Sequence, residues 1–131
     1  MFVDASAWTA ILLSEPEAEA LRVRLAEAEI VMTSAVASWE TARAVGREAV
    51  LDLREAIDEV TALQKLVAAR IVSIGEAEQA AAIEAHARFG KGVHPAKLNM
   101  GDCFAYACAK TNGVPLLYKG GDFALTDIEP A

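Results

Sequence analysis

Short apolar runs alternate with longer helical segments along this chain, and this alternation constrains the fold more than any other feature. The first run, "FVDAS", reaches an acid almost at once, and the second, "IVMTS", has the β-branched content of a strand. Strands that alternate with helices usually pair in parallel, so the pattern predicts a layered α/β fold with a mainly parallel sheet of four or five strands. The later expected strands are "RIVSIG", "VPLLYKG" and a short edge strand in "LTDIEPA".

The helical segments carry signals for where they begin and end. Near Ser14, "SEPE" offers a capping box with Pro16 in the first turn, so the first segment is expected to break there. Gly46 is expected to end or bend the second helix, and Gly113 is well placed to cap the last one. The predicted helices lie in "AWTAILLSEPEAEALRVRLAEAE", "VASWETARAVG", "EAVLDLREAIDEVTALQKLVAA", "EAEQAAAIEAHARFG" and "DCFAYACAKTNG".

Length and composition bound the class of protein. The chain has 131 residues, 54% hydrophobic and 24% charged, which suits one compact domain over residues 1–131. No apolar run approaches the roughly 20 residues that span a bilayer, and the N-terminus lacks the basic start of a signal peptide. We therefore expect no membrane association and a cytoplasmic location. The net charge of −7 argues against binding nucleic acid through overall positive charge, but it leaves open a nuclease whose acids bind metal.

Four acids are placed differently from the others, most of which lie on helix faces. Asp4 ends the first strand, and Glu40 opens the helix after the second. Asp102 opens the last long helix, and Asp122 follows the fourth strand. Because the carboxyl ends of parallel strands share one edge of a sheet, the topology can bring these four acids into one cleft.

Carboxylates crowded into one cleft repel each other, and some take up protons unless cations neutralise them. Mg²⁺ or Mn²⁺ suits such a site because hard cations favour oxygen ligands. A bound cation of this kind polarises a phosphodiester oxygen and lowers the pKa of a bound water. The pattern therefore points to phosphodiester hydrolysis.

Each of these acids also has an ordinary structural interpretation. Asp4 and Asp102 could cap helices, and Glu40 could complement a helix dipole. Asp122 could be a turn residue in "GGDF". Asp4 lies inside an apolar run, which favours a functional role. For the other three acids, the functional interpretation depends on all four converging.

The segments around these acids resemble the PIN-domain ribonucleases, and the match is closest to the VapC toxins of bacterial type II toxin–antitoxin modules. The resemblance covers essentially the whole chain. It implies a PIN-like three-layer α/β/α fold and a Mg²⁺- or Mn²⁺-dependent endoribonuclease that hydrolyses RNA with metal-activated water. It also implies a homodimer and a cognate VapB-like antitoxin whose C-terminal segment occupies a groove near the site. The resemblance is carried by "FVDASAW", "TSAVASWETA", "LNMGDCFAYACAK" and "PLLYKGGDFALTDI".

The resemblance also implies roles for individual residues. Asp4 and Asp102 would be the principal metal ligands. Glu40 and Asp122 would bind metal directly or through water. The acidic quartet of the family therefore matches Asp4, Glu40, Asp102 and Asp122.

Three further positions bear on this site. Ser6 matches a hydroxyl that commonly supports the family's site, and Asn99 matches the polar residue before the Gly-Asp pair. Gly121 departs from the pattern, because many relatives carry Asp or Asn next to the last acid. The resemblance therefore implies at least one metal ion rather than a defined pair.

One local basic stretch lies beside the proposed cleft. Residues 85–101 contain no acid but include Arg88, Lys91 and Lys97, and Lys119 lies on the strand that leads to the last acid. We expect these four side chains to contact RNA phosphates and partly offset the acidic body. A solvated loop is the alternative interpretation.

Two other functions compete with a toxin nuclease. The first is a PIN-fold protein-binding module without nuclease activity, in which the acids only cap helices. The second is an RNA-maturation nuclease outside a toxin pair. The complete acidic quartet favours a nuclease over a binding module. The compact length, without an extra RNA-binding domain, favours the toxin over a maturation enzyme.

Overall fold

A four-stranded sheet forms the centre of the computed structural model, which describes residues 1–131. The strands are β1 (Phe2–Val3), β2 (Met32–Ser34), β3 (Arg70–Val72) and β4 (Leu116–Leu117). Their order is β3-β2-β1-β4, and every pair is parallel, as the alternation of strands and helices predicts. The helices are α1 (Ala5–Leu12), α2 (Ala18–Glu27), α3 (Ala35–Ala49), α4 (Leu53–Leu66), α5 (Glu76–Phe89) and α6 (Met100–Thr111), followed by a 3-10 helix over Phe123–Leu125.

Helices cover both faces of the sheet because neighbouring strand residues point in opposite directions. Phe2 and Leu116 pack with α5 and α6 on one face. Val3 and Leu117, the next residues along the same strands, pack with Trp8 and the α1–α2 pair on the other. A smaller apolar cluster joins α3 to α4. The fold is therefore the three-layer α/β/α arrangement implied by the sequence. No helix combines the length and the apolar composition needed to cross a membrane.

The long helix expected from "EAVLDLREAIDEVTALQKLVAA" is confirmed over α4, but its first residues are not part of that helix, because the chain turns between α3 and α4. Helix α3 runs through Gly46 and ends at Ala49, and Val50 adopts a left-handed φ of 55°. A Cβ at Gly46 would lie 3.2 Å from the Leu51 carbonyl oxygen, so glycine permits this close return of the chain. Helix α4 then begins with a capping box in which Asp52 accepts from two backbone N–H groups.

The first helical segment breaks where expected, but not by the expected cap. Ser14 has a left-handed φ of 52°, which separates α1 from α2. Helix α2 begins only at Ala18, and Glu17 at its N-cap makes no side-chain capping bond. The carboxylates of Glu15 and Glu17 instead pair with Lys119, which follows β4. A long-range ion pair therefore replaces the local capping box.

Two boundaries near the C-terminus also differ from the sequence-based prediction. Helix α6 begins at Met100, two residues before Asp102, because the Asn99 side chain caps it. The expected edge strand in "LTDIEPA" forms only one bridge, between Leu116 and Pro130. Proline has no backbone N–H, which prevents a regular ladder at that residue.

Candidate active site

A cleft of about 340 Å³ opens where β1 and β4 end and where α1 and α6 begin. Three of the four acids singled out from the sequence line this cleft, together with both supporting residues. One basic side chain is present among its lining residues. The polar residues of the cleft are Asp4, Ser6, Thr9, Glu15, Glu40, Asn99, Asp102 and Lys119.

Asp4 ends β1 and caps α1 at the same time. Its Oδ2 accepts from the Ser6 backbone N–H at 2.9 Å and from the Ser6 hydroxyl at 2.5 Å. The residue is 3% exposed, and burial raises the pKa of its carboxyl, while the hydrogen bonds from Ser6 and Ala5 oppose that shift. The capping and functional interpretations of Asp4 are therefore compatible, because the cap leaves the other carboxylate oxygen without a bond from Ser6.

Ser6 also ties the end of β4 to this carboxylate. Its hydroxyl oxygen accepts from the Lys119 backbone N–H at 3.0 Å while it donates to Asp4. The side chain thus joins two segments that are 113 positions apart in sequence. Ser6 is placed to orient Asp4, as the resemblance implies for a supporting hydroxyl.

Glu40 projects from α3 toward the other acids. Its pKa is raised from an ordinary value of 4.5 to about 7, first by burial and then by the charges of Asp4 and Asp102. The carboxylate lies directly against the Cα of Gly101, where any Cβ would overlap it. The absence of a side chain at Gly101 therefore admits the Glu40 carboxylate in its present position.

Asp102 occupies the first turn of α6. Its backbone N–H donates to the Asn99 side-chain oxygen at 3.1 Å, and its Oδ2 accepts from the Asn99 backbone N–H at 2.8 Å. The pKa of Asp102 is raised from 3.8 to about 6, mainly by burial; the Asn99 hydrogen bond opposes this shift, while the charges of Asp4 and Asp122 add to it. Asn99, rather than Asp102, is the N-cap, and one oxygen of Asp102 completes the capping box.

Asp122 holds a different position from the other three acids. It is exposed, immediately before the 3-10 helix, and it does not line the cleft. It lies near enough to Asp102 for its charge to raise the pKa of that carboxyl. The tertiary structure therefore brings three acids into one cleft and places the fourth at its edge.

The sequence pattern of the PIN domain matches residues 1–129. The chain belongs to the PIN domain family. A VapC ribonuclease of Rhizobium meliloti is 40% identical, with 97% of this chain and 98% of the relative aligned. A ribonuclease VapC of Mycolicibacterium smegmatis is 41% identical, with 98% and 97% aligned. The predicted resemblance to PIN-domain VapC proteins is confirmed.

A solved structure shares the fold of this PIN domain. Mycobacterium tuberculosis VapC20, described as a sarcin-ricin loop cleaving toxin, superposes with a TM-score of 0.78. The alignment covers 99% of this chain and 97% of VapC20. Because only 19% of the residues are identical, the likeness supports the predicted PIN-like α/β/α architecture and nothing more specific.

The acids of this PIN domain suit a hard divalent cation by donor chemistry. Every side-chain group that approaches Glu40 in the cleft and shifts its pKa is a carboxylate, and Mg²⁺ and Mn²⁺ favour such oxygen ligands. As the side chains stand, no three His, Cys, Asp or Glu residues are close enough together to hold a metal ion. The repulsion that raises the pKa of Glu40 is the repulsion that a bound cation would relieve.

The four basic residues predicted to contact RNA do not lie together on one surface of the protein. Lys119 lines the cleft, whereas the other three do not. Lys91 and Lys97 are exposed in the loop between α5 and α6, and Lys97 has a left-handed φ of 52°. Arg88 lies near the C-terminal end of α5, where its guanidinium donates to Asp127 at 3.2 Å.

Sequence reasoning missed two residues that shape the cleft. Gly101 was noted only as part of a motif, although its lack of a side chain admits Glu40. Glu15 was noted only as an intervening residue of the "SEPE" motif, although its carboxylate lines the cleft and pairs with Lys119. The Pro16 that follows Glu15 is a sequence signal for the loop, but no local signal reveals a partner more than 100 positions away.

Proposed function

We propose that this PIN domain is a metal-dependent endoribonuclease that acts as the toxin of a VapBC-type module, with residues 1–131 as a single functional domain. The observation that carries the proposal is the convergence of Asp4, Glu40 and Asp102 in one cleft, although they lie on three separate segments. Burial raises the pKa of all three carboxyls, and neighbouring carboxylates add to the shift at Glu40 and Asp102, a free-energy cost of ionisation that a cation would offset. The names of the curated relatives supply the reaction class, ribonuclease.

Mg²⁺ or Mn²⁺ is the proposed cofactor. Asp4 and Asp102 would hold it directly, and Glu40 and Asp122 would bind directly or through water. When bound, the cation polarises the phosphodiester and lowers the pKa of an attacking water. The exposed position of Asp122 supports an outer role for that residue.

The chain's own residues contribute orientation and proton transfer. Ser6 fixes one oxygen of Asp4, and the Asn99 cap fixes one oxygen of Asp102, so each carboxylate presents its other oxygen to the cleft. Glu40 is the proposed general base, because its carboxylate lines the cleft beside Asp4 and Asp102, the proposed metal ligands. The water oxygen forms a bond to phosphorus as the bond from phosphorus to the bridging oxygen breaks in line. A Glu40 carboxylate oxygen accepts the proton from water, and the departing oxygen takes a proton from solvent.

The proposed partners follow from the family. RNA is the substrate, and Lys119 is the basic side chain best placed to contact it. A VapB-like antitoxin would inhibit the toxin, and two copies of the chain would form a homodimer. Ile83 and Met100, each 64% exposed, lie with Phe104 along the groove between α5 and α6 and offer an apolar surface for a second copy.

Replacing Asp102 with Asn tests the proposed function. We expect induced expression of the wild type to arrest growth and the purified chain to cleave RNA with Mg²⁺ or Mn²⁺. Asp102→Asn should reduce cleavage on the order of 100-fold or more, because the site loses one ligand charge. Co-expression of the cognate VapB-like antitoxin is expected to relieve the arrest, and light scattering is expected to give twice the monomer mass.

Asp52→Asn is the matched control. Asp52 caps α4 outside the cleft, and Asn caps a helix about as well as Asp does. The Asp52→Asn variant should cleave RNA and arrest growth as the wild type does. Equal cleavage by a folded Asp102→Asn variant would show that the active-site assignment is wrong, and a folded wild type that cleaves no RNA would favour the PIN-fold binding module. Cleavage of RNA without growth arrest would favour a maturation nuclease.

A further inference from the structure

Lys119 is the one basic residue that lines the cleft, and two acids of the chain already hold it. Its ammonium group forms an ion pair with Glu15 and lies 3.5 Å from the carboxylate of Glu17. Both acids belong to the loop between α1 and α2, whereas Lys119 follows β4. The pairing raises the pKa of Lys119, so the ammonium group remains charged.

The backbone of Lys119 stays in place whichever partner the side chain takes. Its N–H donates to the Ser6 hydroxyl, which in turn donates to Asp4. The side chains of Lys119 and Glu15 retain 32% and 29% of their exposure, so water and ions can reach the pair. Ion pairs open to solvent contribute little to stability, and a competing anion can therefore displace one.

We propose that Glu15 occupies the position on Lys119 that an RNA phosphate takes in the complex, so that substrate binding must displace an internal carboxylate. The inference rests on the proposed function, because it concerns RNA at the same cleft. Glu15 is thus an internal competitor that lowers the affinity for RNA, and Glu17 is a second, more exposed partner that receives Lys119 less closely. Lys119 becomes an effective phosphate contact only when it leaves Glu15.

The proposal has a specific consequence for the salt dependence of RNA binding. A lysine that neutralises a phosphate on single-stranded RNA normally adds about 0.7 to the magnitude of the log–log salt slope. In the wild type, the contribution of Lys119 to the salt slope is largely cancelled. When RNA binds, Glu15 loses its cationic partner and takes up a counterion. Removing the charge of Glu15 should restore the contribution of Lys119 to the salt slope.

The experiment compares Glu15→Gln with the wild type in the full-length chain. Binding of fluorescein-labelled polyuridylate is followed by fluorescence anisotropy at several salt concentrations, with Ca²⁺ in place of Mg²⁺ and the RNA checked for integrity on a gel. We expect Glu15→Gln to bind about threefold to fivefold more tightly, the effect expected of a partly exposed ion pair. Its salt slope should be steeper by about 0.7.

Two further variants separate this competition from a general effect of charge. Glu19→Gln changes the net charge equally, but Glu19 pairs with Arg22 on the exposed surface of α2, so binding should stay within about 1.5-fold of the wild type. In a Lys119→Met background, Glu15→Gln should bring no further gain, because the competition requires the lysine. Thermal unfolding of each variant reports whether Glu15 serves only to hold the loop.

The outcomes distinguish this inference from the proposed function. If wild type and Asp102→Asn neither cleave nor bind RNA in any ion, the proposed function fails and the inference fails with it. If the wild type cleaves RNA but Glu15→Gln matches it in affinity and salt slope, only the inference is overturned. An equal gain with and without Lys119 would overturn it as well, since the effect would then be general electrostatics.

Discussion

Helix α6 passes through two acidic sites whose environments are opposite. At its N-terminal end, burial first and then the charges of Asp4 and Asp122 raise the pKa of Asp102 to about 6. Farther along the helix, Tyr106 and Lys110 contact Asp127, whose pKa is lowered, first by the Tyr106 hydrogen bond and then by Arg88. The Asp102 carboxylate thus has no cationic side chain bound to it in the cleft. The Asp127 carboxylate has its charge balanced in the cluster formed by Arg88, Tyr106, Lys110 and Asp127.

The comparison separates a functional acid from a structural one. Asp127 accepts the Tyr106 hydroxyl at 2.6 Å and the Arg88 guanidinium at 3.2 Å, and it fixes the C-terminal segment on α6. Asp102 has only the Asn99 N–H as a partner and faces like charges. Perturbed carboxyls that lack cations are candidates for ligand or metal binding, whereas satisfied ones are candidates for stability.

In this comparison of the two acidic sites, the largest loss of RNA cleavage is expected from Gly101→Ala. A Cβ at this position would overlap the Glu40 carboxylate, so the carboxylate must move from its present position. We expect RNA cleavage to fall about 10- to 100-fold, the loss typical of a displaced supporting group. Gly121→Ala is the control, because nothing lies within 4 Å of a Cβ there. Wild-type activity in Gly101→Ala would show that Glu40 is not needed in its present position.

The second prediction concerns how the folding stability of the metal-free protein changes with pH. Glu40 and Asp102 have pKa values of about 7 and about 6 in the fold, above their ordinary values of 4.5 and 3.8. The folded state therefore binds more protons than the unfolded chain between about pH 4 and 7, and its stability falls as the pH rises through that window. Melting temperatures in EDTA should decrease across this range.

Divalent cations provide the control for the pH effect. At pH 7.5, Mg²⁺ or Mn²⁺ should raise the melting temperature, and at pH 5 the gain should be smaller because protons compete for the carboxylates. Glu40→Gln should flatten the pH dependence. An equal shift with metal at both pH values would argue against binding at these acids.

The smallest effect is expected at the compensated site. Asp127→Asn should lower the free energy of unfolding by up to about 1 kcal/mol, since solvent screens this half-exposed cluster. RNA cleavage should be unchanged. Because the pKa of Asp127 is lowered, its contribution is present above about pH 4 and is lost as the pH falls below that value. Urea titrations at pH 7 and pH 3 measure the loss of unfolding free energy and its dependence on pH. A loss of RNA cleavage would contradict the assignment of Asp127 to a structural role.

Much of the fold could be predicted because its signals are local. The alternation of runs such as "IVMTS" with helical segments predicts a parallel sheet, and the sheet is parallel throughout. Errors occurred where tertiary contacts compete with local ones. The helix predicted over residues 48–69 began too early, because the chain turns at Val50 before α4 begins. The "SEPE" capping box was wrong, because Glu15 and Glu17 pair with Lys119.

The candidate site was predictable in its acids but not in its arrangement. Asp4 stood out because an acid interrupts an apolar strand, and the structure places it at the buried end of β1. The difference between Asp102 in the cleft and Asp122 at its edge has no counterpart in sequence, since both follow glycine near an element boundary. That distinction depends on how the segment after β4 packs.

The sequence by itself determined the alternating elements, the order of the acids along the chain and the family to which they belong. Hydrophobic period, capping residues and motif spacing are properties of neighbouring residues, and they are readable before folding. Only the tertiary structure decided which carboxylates share a cleft, that Gly101 admits Glu40, and that Glu15 holds Lys119. Those contacts join segments far apart in the chain, and burial and charge act on them only once the layers have packed.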